Sequence, residues 1–248
     1  MFDSPTKTPQ QAGYDLSDTA GISILLDDGP ILVVNKPAGL PTETPRDNAD
    51  SLVNRVKDYL KQKYNKPGNV YLGIPQRLDT PVSGAIVFAR NSKCAARLSE
   101  QFAERDVGKV YWAVLKQSLP QKKGMLCDWM KKHPTEARAV EAEEDEPTAK
   151  EARLTYEVVS ITEAGCLCRI ELLTGRMHQI RWQFGSRGFP IVGDQLYGAE
   201  SFDDEENRIL LHARELTFQH PIRYDEVQVV APLPDWWPES LKNLNQGD

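Results

Sequence analysis

The chain has 248 residues, of which 40 % are hydrophobic and 27 % charged, and its formal charge is −6. That length holds one large domain or two small ones, and the globular composition excludes wholesale disorder. No apolar run approaches the roughly 18 residues of a membrane span, and Met1–Gln10 lacks the apolar core of a secretory leader, so the cytoplasm is the expected compartment.

Residues 1–20 are rich in Pro, Thr, Asp and Gln without periodicity and read as a loose tail before a single domain over 21–248. A strand is expected at Ile31–Asn35, stopped by Lys36-Pro37-Ala38-Gly39. Ser51–Lys63 is an amphipathic helix by the spacing of Leu52, Val56, Tyr59 and Leu60, and Lys66-Pro67-Gly68-Asn69 ends it. Gly84–Ala89 is a short apolar strand, and Ser92 is the expected cap of a second helix running to Glu104. Val110–Leu115 alternates with both faces apolar, as in a central strand. Ala152–Val159 and Leu167–Leu173 read as strands about a turn at Thr162–Gly165. Met177–Gly185 reads as helix, Leu210–Phe218 and Val227–Val230 as strands, and Trp236–Leu244 as a closing helix. Adjacent strands outnumber alternating βαβ units, which predicts an α+β domain with a central, largely antiparallel mixed sheet flanked by helices.

Charge is unevenly distributed. Glu141–Glu146 holds five acids and Glu200–Glu206 another five, with no Lys or Arg in either stretch. Removing those ten acids turns −6 into +4, so a local positive cleft is compatible with the acidic total. The acidic runs read as solvated loops, or as loops that discourage non-specific RNA binding. Cys94, Cys127, Cys166 and Cys168 are too few and scattered for a disulfide framework; Cys166 and Cys168 share one strand face and read as structural thiols, with no metal expected.

Three segments concentrate chemistry. Pro75-Gln76-Arg77-Leu78-Asp79-Thr80-Pro81-Val82-Ser83-Gly84 precedes an apolar strand and reads either as a structural turn or as an active-site loop. Thr174-Gly175-Arg176-Met177-His178-Gln179-Ile180-Arg181 follows a strand; as a helix it turns Arg181 toward the core, where an arginine needs a carboxylate partner, and its start offers N–H groups to an anion. Lys109-Val110-Tyr111-Trp112 puts a tyrosine in a central strand, either as core or as a platform for a flat base. No GxGxxG, Walker loop or HExxH pattern is present, so nothing supports a dinucleotide, nucleotide or zinc cofactor.

Together these segments resemble the RluA family of pseudouridine synthases. Asn35-Lys36-Pro37-Ala38-Gly39-Leu40 resembles its first motif, and Arg77-Leu78-Asp79 with Ser83-Gly84 its central one. Lys109–Val114 resembles the strand with the active-site tyrosine. Thr174–Arg181 with Gly193-Asp194 and Tyr197-Gly198 resembles the third block, and Leu211-His212-Ala213 with His220-Pro221 the last. The matches run in family order over residues 30–221. Gln76 stands where the family often has His, and Val82 where it often has Thr; both departures bear on the substrate rather than the chemistry. No segment resembles a small S4 RNA-binding domain.

The resemblance implies an RNA uridine isomerase that needs no cofactor or metal. Its partner would be a structured RNA, ribosomal or transfer, and the working unit a monomer with no obligate protein partner and no membrane. It implies catalytic roles for three residues: Asp79 as an ionised carboxylate acting at the sugar C1′ or on the base, Arg181 as its salt-bridge partner, and Tyr111 stacking on a base flipped from the RNA. Arg77 would fill the vacated position or hold the adjacent phosphate, with Lys36, Lys109 and Arg176 as further phosphate contacts. Two other readings are a non-catalytic RNA-binding factor on the same fold and an unrelated carboxylate hydrolase. The latter needs a second acid near Asp79, which the local sequence does not supply.

Overall fold

A computed structural model of the chain describes residues 22–44, 50–201 and 207–242. The tail expected over 1–20 and the acids 203–206 lie outside the described residues. The elements in order are β1 (Ser23–Asp28), β2 (Ile31–Lys36), α1 (Leu52–Lys63), β3 (Ser83–Ala89), α2 (Ser92–Glu104), β4 (Gly108–Leu115), β5 (Lys123–Lys132), β6 (Ala139–Glu141), β7 (Lys150–Thr162), β8 (Gly165–Leu172), α3 (Gln179–Gly185), a 3-10 turn (Gln195–Tyr197), β9 (Leu211–Gln219), β10 (Glu226–Val230) and α4 (Glu239–Lys242). No described helix is long and apolar enough to cross a membrane.

The ten strands form one sheet in the order β1-β2-β3-β9-β4-β8-β7-β5-β6, with β10 also on β9. Every named pairing is antiparallel except β3 with β9, where Ser83 faces His212 and Gly84 faces Ala213. The fold is α+β, as the element order predicts. The parallel seam joins two antiparallel halves, and Gly84 is required there: its φ is +122°, and a Cβ would lie 2.3 Å from the Ala213 carbonyl oxygen.

Alternation along the central strands explains the layers. On β2, Leu32 and Val34 face one core with α1 and α3, while Ile31 and Val33 face a second core under α2. On β3, Ile86 and Phe88 go to the first and Ala85, Val87 and Ala89 to the second. On β4, Tyr111, Ala113 and Leu115 face the first core, while Trp112 and Val114 pack under α4. Both faces are covered, which is why these strands read as continuous apolar runs.

Helix ends follow capping chemistry. The Ser51 hydroxyl accepts the Asn54 N–H to start α1. The cap of α2 is Asn91, not Ser92: its side-chain oxygen accepts the Cys94 N–H at 2.9 Å, and both residue types are strong caps. Helix α3 starts at Gln179 rather than Met177, because His178 sits in the left-handed region at φ +54°. The Gln179 carboxamide organises that turn. Its oxygen accepts the Thr174 hydroxyl and the Arg176 N–H, and its amide donates to the Arg153 carbonyl. Helix α3 is seven residues long. Cys166 and Cys168 are buried free thiols with sulfurs 3.9 Å apart.

The parallel seam carries a buried polar pair. The Ser83 hydroxyl lies 2.8 Å from His212 Nδ1, and Nε2 faces the Ala231 carbonyl at 3.2 Å. This is a neutral imidazole that accepts at Nδ1 and donates at Nε2. Burial pushes His212 down to about 3 from its usual 6.5. Below pH 6.5 the unfolded chain takes a proton that the folded one refuses, so this histidine withdraws stability as pH falls. Between pH 8 and 5 it should cost about 2 kcal/mol. Urea midpoints of wild type and His212→Gln across that range check this: the wild type should lose the extra stability, and equal slopes would contradict it.

Candidate active site

Asp79 lies in a stretch without regular structure before β3, and residues 36–42 fasten that stretch from several sides. The Thr42 hydroxyl donates to the Leu78 carbonyl at 2.7 Å and accepts the Leu78 N–H at 3.2 Å. The Gly39 N–H and the Lys36 ammonium both donate to the Thr80 carbonyl, at 2.9 and 3.1 Å. The Val82 N–H closes a turn on the Asp79 carbonyl at 3.1 Å.

Lys36 is therefore not where the sequence reading placed it. Its side chain is fully buried, and its ammonium donates to the carbonyls of Pro37, Leu40 and Thr80. Three donors meet three acceptors, which leaves nothing for a phosphate. Burial pulls this lysine down to about 7, against the opposing charge of Asp79. Residue type and motif position pointed to a surface cation; the burial of β2's end makes it an internal strut.

From the other side, α3 presents Arg181, only 6 % exposed. Its Nε and Nη2 bind both oxygens of Asp194, at 2.7 and 2.9 Å, and its Nη1 reaches Asp79 Oδ2 at 3.2 Å. Burial works against this charge, but Asp194 and then Asp79 outweigh it and push the guanidinium upward. The carboxylate-hydrolase reading needs a second acid near Asp79, which the local sequence does not supply. Asp194 is that acid, but it is 1 % exposed and both its oxygens are held by Arg181, so it cannot serve as a free acid or base. A buried arginine calls for a carboxylate, and that signal was legible; that there are two depends on a turn after α3 without periodicity.

His178 and Tyr197 complete this wall, and neither had been assigned a role. The Tyr197 oxygen accepts the Ala139 N–H at 2.8 Å and lies 2.9 Å from His178 Nδ1. Burial pushes Tyr197 up to about 12, so it keeps its proton and donates it to Nδ1. Burial, helped by Arg181, lowers His178 despite Asp79. The ring is thus neutral with its proton on Nε2, which points at Asp79 Oδ2 from 3.6 Å. The Tyr197 ring also lies under the Arg181 guanidinium, 5.3 Å from its centre.

Asp79, Tyr111, His178, Arg181, Arg77 and Arg176 line one pocket of about 70 Å³. Tyr111 is raised well above the ordinary phenol, by burial and then by Asp79. The Asp79 side chain is 28 % exposed, so its carboxylate is reachable from solvent while anchored behind. Arg77 stands at the mouth, 68 % exposed and paired with Glu43. Lys109 and Arg176 sit together with Arg105. Burial lowers both; Arg105 and Arg176 lower Lys109 further, and Arg105 lowers Arg176 further against the opposing charge of Glu151. Such mutual repulsion marks a local excess of positive charge. Among the described residues, no three His, Cys, Asp or Glu side chains converge as a metal centre requires.

A family profile described as RNA pseudouridylate synthase matches residues 30–186. The chain is 31 % identical over 232 residues to the dual-specificity RNA pseudouridine synthase RluA of Vibrio cholerae, covering 91 % of this chain and 88 % of that one. It is 33 % identical over 227 residues to the ribosomal large subunit pseudouridine synthase D of Xylella fastidiosa, covering 86 % and 66 %. The solved structure of human RNA pseudouridylate synthase domain containing 4 superposes with a TM-score of 0.72 at 25 % identity, covering 90 % of this chain and 93 % of that one. The chain belongs to the RluA family of pseudouridine synthases. It is an isomerase that converts uridine to pseudouridine in RNA.

Lys36→Met separates a strut from a phosphate contact. The loss of three carbonyl partners should cost about 2 kcal/mol in urea unfolding and slow turnover. The salt dependence of RNA binding should not change; a shallower salt slope would restore the phosphate role.

Proposed function

We propose that Asp79 is the catalytic carboxylate and that Arg181 holds it aimed at the reacting nucleoside. The observation that carries this reading is the division of one guanidinium: two N–H groups locked on Asp194, a third on Asp79. Asp79 keeps its other oxygen for the reacting nucleoside, either at C1′ or on the base. The reaction breaks the bond from C1′ to N1, turns the base, and joins C1′ to C5; the hydrogen on C5 leaves as a proton and N1 ends protonated. Nothing is oxidised or reduced.

Tyr111 is the flat partner for the base and lies beside Asp79 in the pocket wall. Because burial and Asp79 hold the proton on its oxygen, the phenol does not accept the C5 proton alone. It takes that proton only while passing its own to a carboxylate, so its role is a relay.

The substrate we propose is a uridine in an exposed loop of ribosomal or transfer RNA. The likeness to a synthase named for the ribosomal large subunit supports the ribosomal case. A stacked base is out of reach, so the uridine is everted at a cost of about a few kcal/mol. The pocket is far below the roughly 300–1,000 Å³ of a ligand site, so entry requires wall side chains to move. Arg77, exposed and on the same face as Asp79, swings from Glu43 into the vacated position or onto the next phosphate. Lys109 and Arg176 take neighbouring phosphates.

Release of tritium from [5-³H]uridine-labelled RNA tests the assignment. Asp79→Asn keeps size and folding and should abolish release; wild-type release would overturn it. Tyr111→Phe keeps the ring, so it should retain RNA capture but lose most release. Arg181→Ala should lose turnover together with about 3–5 kcal/mol of stability, because it leaves Asp194 buried and unpaired.

A further inference from the structure

Beside the Asp79 pocket lies a larger cleft of about 670 Å³. Its walls are the end of β5 with the loop after it (Lys131, Lys132, His133), the start of β7 (Lys150) and the turn ahead of α3 (Arg176, Met177). Four lysine or arginine side chains line it and no carboxylate does. In a chain of net charge −6, that is a concentrated positive field. Met177, 39 % exposed, adds an apolar surface. Arg176 lines both this cleft and the Asp79 pocket, so the two are contiguous.

An acidic loop stands over the rim. Glu143, Glu144 and Asp145 are exposed in the turn between β6 and β7, and Glu146 pairs with Lys131 of the cleft. Glu146 is itself held by the Glu143 N–H at 2.9 Å. The carboxylate occupies a cation that a phosphate would use.

We infer that this cleft is a subsite for the nucleotide flanking the target uridine, and that Glu146 competes with that nucleotide's phosphate for Lys131. The phosphate sits among Lys131, Lys132 and Lys150, and the base lies against Met177. The volume fits a nucleotide, and the shared Arg176 places it next in line to the everted uridine. Weakly held RNA does not displace Glu146, whereas a strand already anchored at the Asp79 pocket does. The acidic loop thereby raises selectivity at some expense of affinity. The inference rests on the RNA reading above.

The test uses the full chain and two readouts. Binding is followed with a fluorescein-labelled oligouridylate across a salt series, and turnover by tritium release from [5-³H]uridine-labelled RNA. Lys132→Gln with Lys150→Gln should raise Kd and KM by about tenfold and make the salt slope shallower by about 0.7, the value for one single-strand phosphate contact. The kcat at saturating RNA should stay within about twofold, because neither lysine touches the reacting atoms. Glu146→Gln keeps the acceptor for the Glu143 N–H and should tighten binding by about threefold. Removing two charges elsewhere, Lys61→Gln with Lys93→Gln, should change little.

Wild-type Kd and salt slope in the lysine variant, or no tightening in Glu146→Gln, would overturn the subsite. The two readings fail separately. If wild type releases tritium but the cleft variants bind normally, the subsite falls and the enzyme stands. If Asp79→Asn releases tritium as wild type does while the cleft variants lose binding, the assignment of Asp79 falls and the subsite stands.

Discussion

Arg181 has one positive charge and two carboxylates to serve. It binds Asp194 through two parallel hydrogen bonds and Asp79 through one. The two-pronged contact is the stronger and more directional, and it lies in the drier place. Asp194 therefore fixes the guanidinium plane, and the remaining N–H is aimed where Asp79 must be. This arrangement leaves one face of a charged carboxylate open toward the pocket. A simple arginine–aspartate pair would satisfy both oxygens and close the site.

Such a centre needs its other parts held as firmly. Asp79 sits in a stretch without regular structure, and loops move unless tied. The ties come from residues 36–42, whose hydrogen bonds meet the backbone on both sides of Asp79. Lys36 is unusual among them, since a lysine fully enclosed by protein is costly unless its three donors are used. Here they are. Burial and the three carbonyls oppose one another, and that balance ties the charge of the lysine to the shape of the loop. The parallel contact between β3 and β9 supplies the second constraint: it brings the segment after Asp79 beside β9 and β4, and so beside Tyr111.

Much of the fold was legible because its signals were local. The central strands β2, β3 and β4 announced themselves as apolar runs, and α1 by its spacing. Strands β1, β5 and β6 went unread. Their charged or short sequences, Ser-Ile-Leu-Leu-Asp-Asp and Ala-Val-Glu among them, are strands only because neighbours offer hydrogen bonds at the ends of the sheet. The helix expected over Met177–Gly185 is two residues too long, since nothing in residue type announces that His178 is left-handed. At the site, Asp79, Tyr111 and Arg181 emerged from the order of motifs and meet in one pocket. Asp194, Tyr197 and His178 lie in the third block but carry no role there, because their parts depend on contacts between segments 13–19 residues apart in the chain. Lys36 was misread for the same reason: burial is a property of the assembled sheet.

The account depends most on Asp194 orienting Arg181 for Asp79. Asp194→Asn preserves size while removing the charge that holds the guanidinium plane. The direct measurement is single-turnover tritium release from saturating labelled RNA by this variant, alongside its RNA affinity and unfolding midpoint. The account predicts a folded protein that binds RNA nearly as well as wild type and releases tritium slower by about two orders of magnitude. Release at the wild-type rate from a folded variant would contradict it.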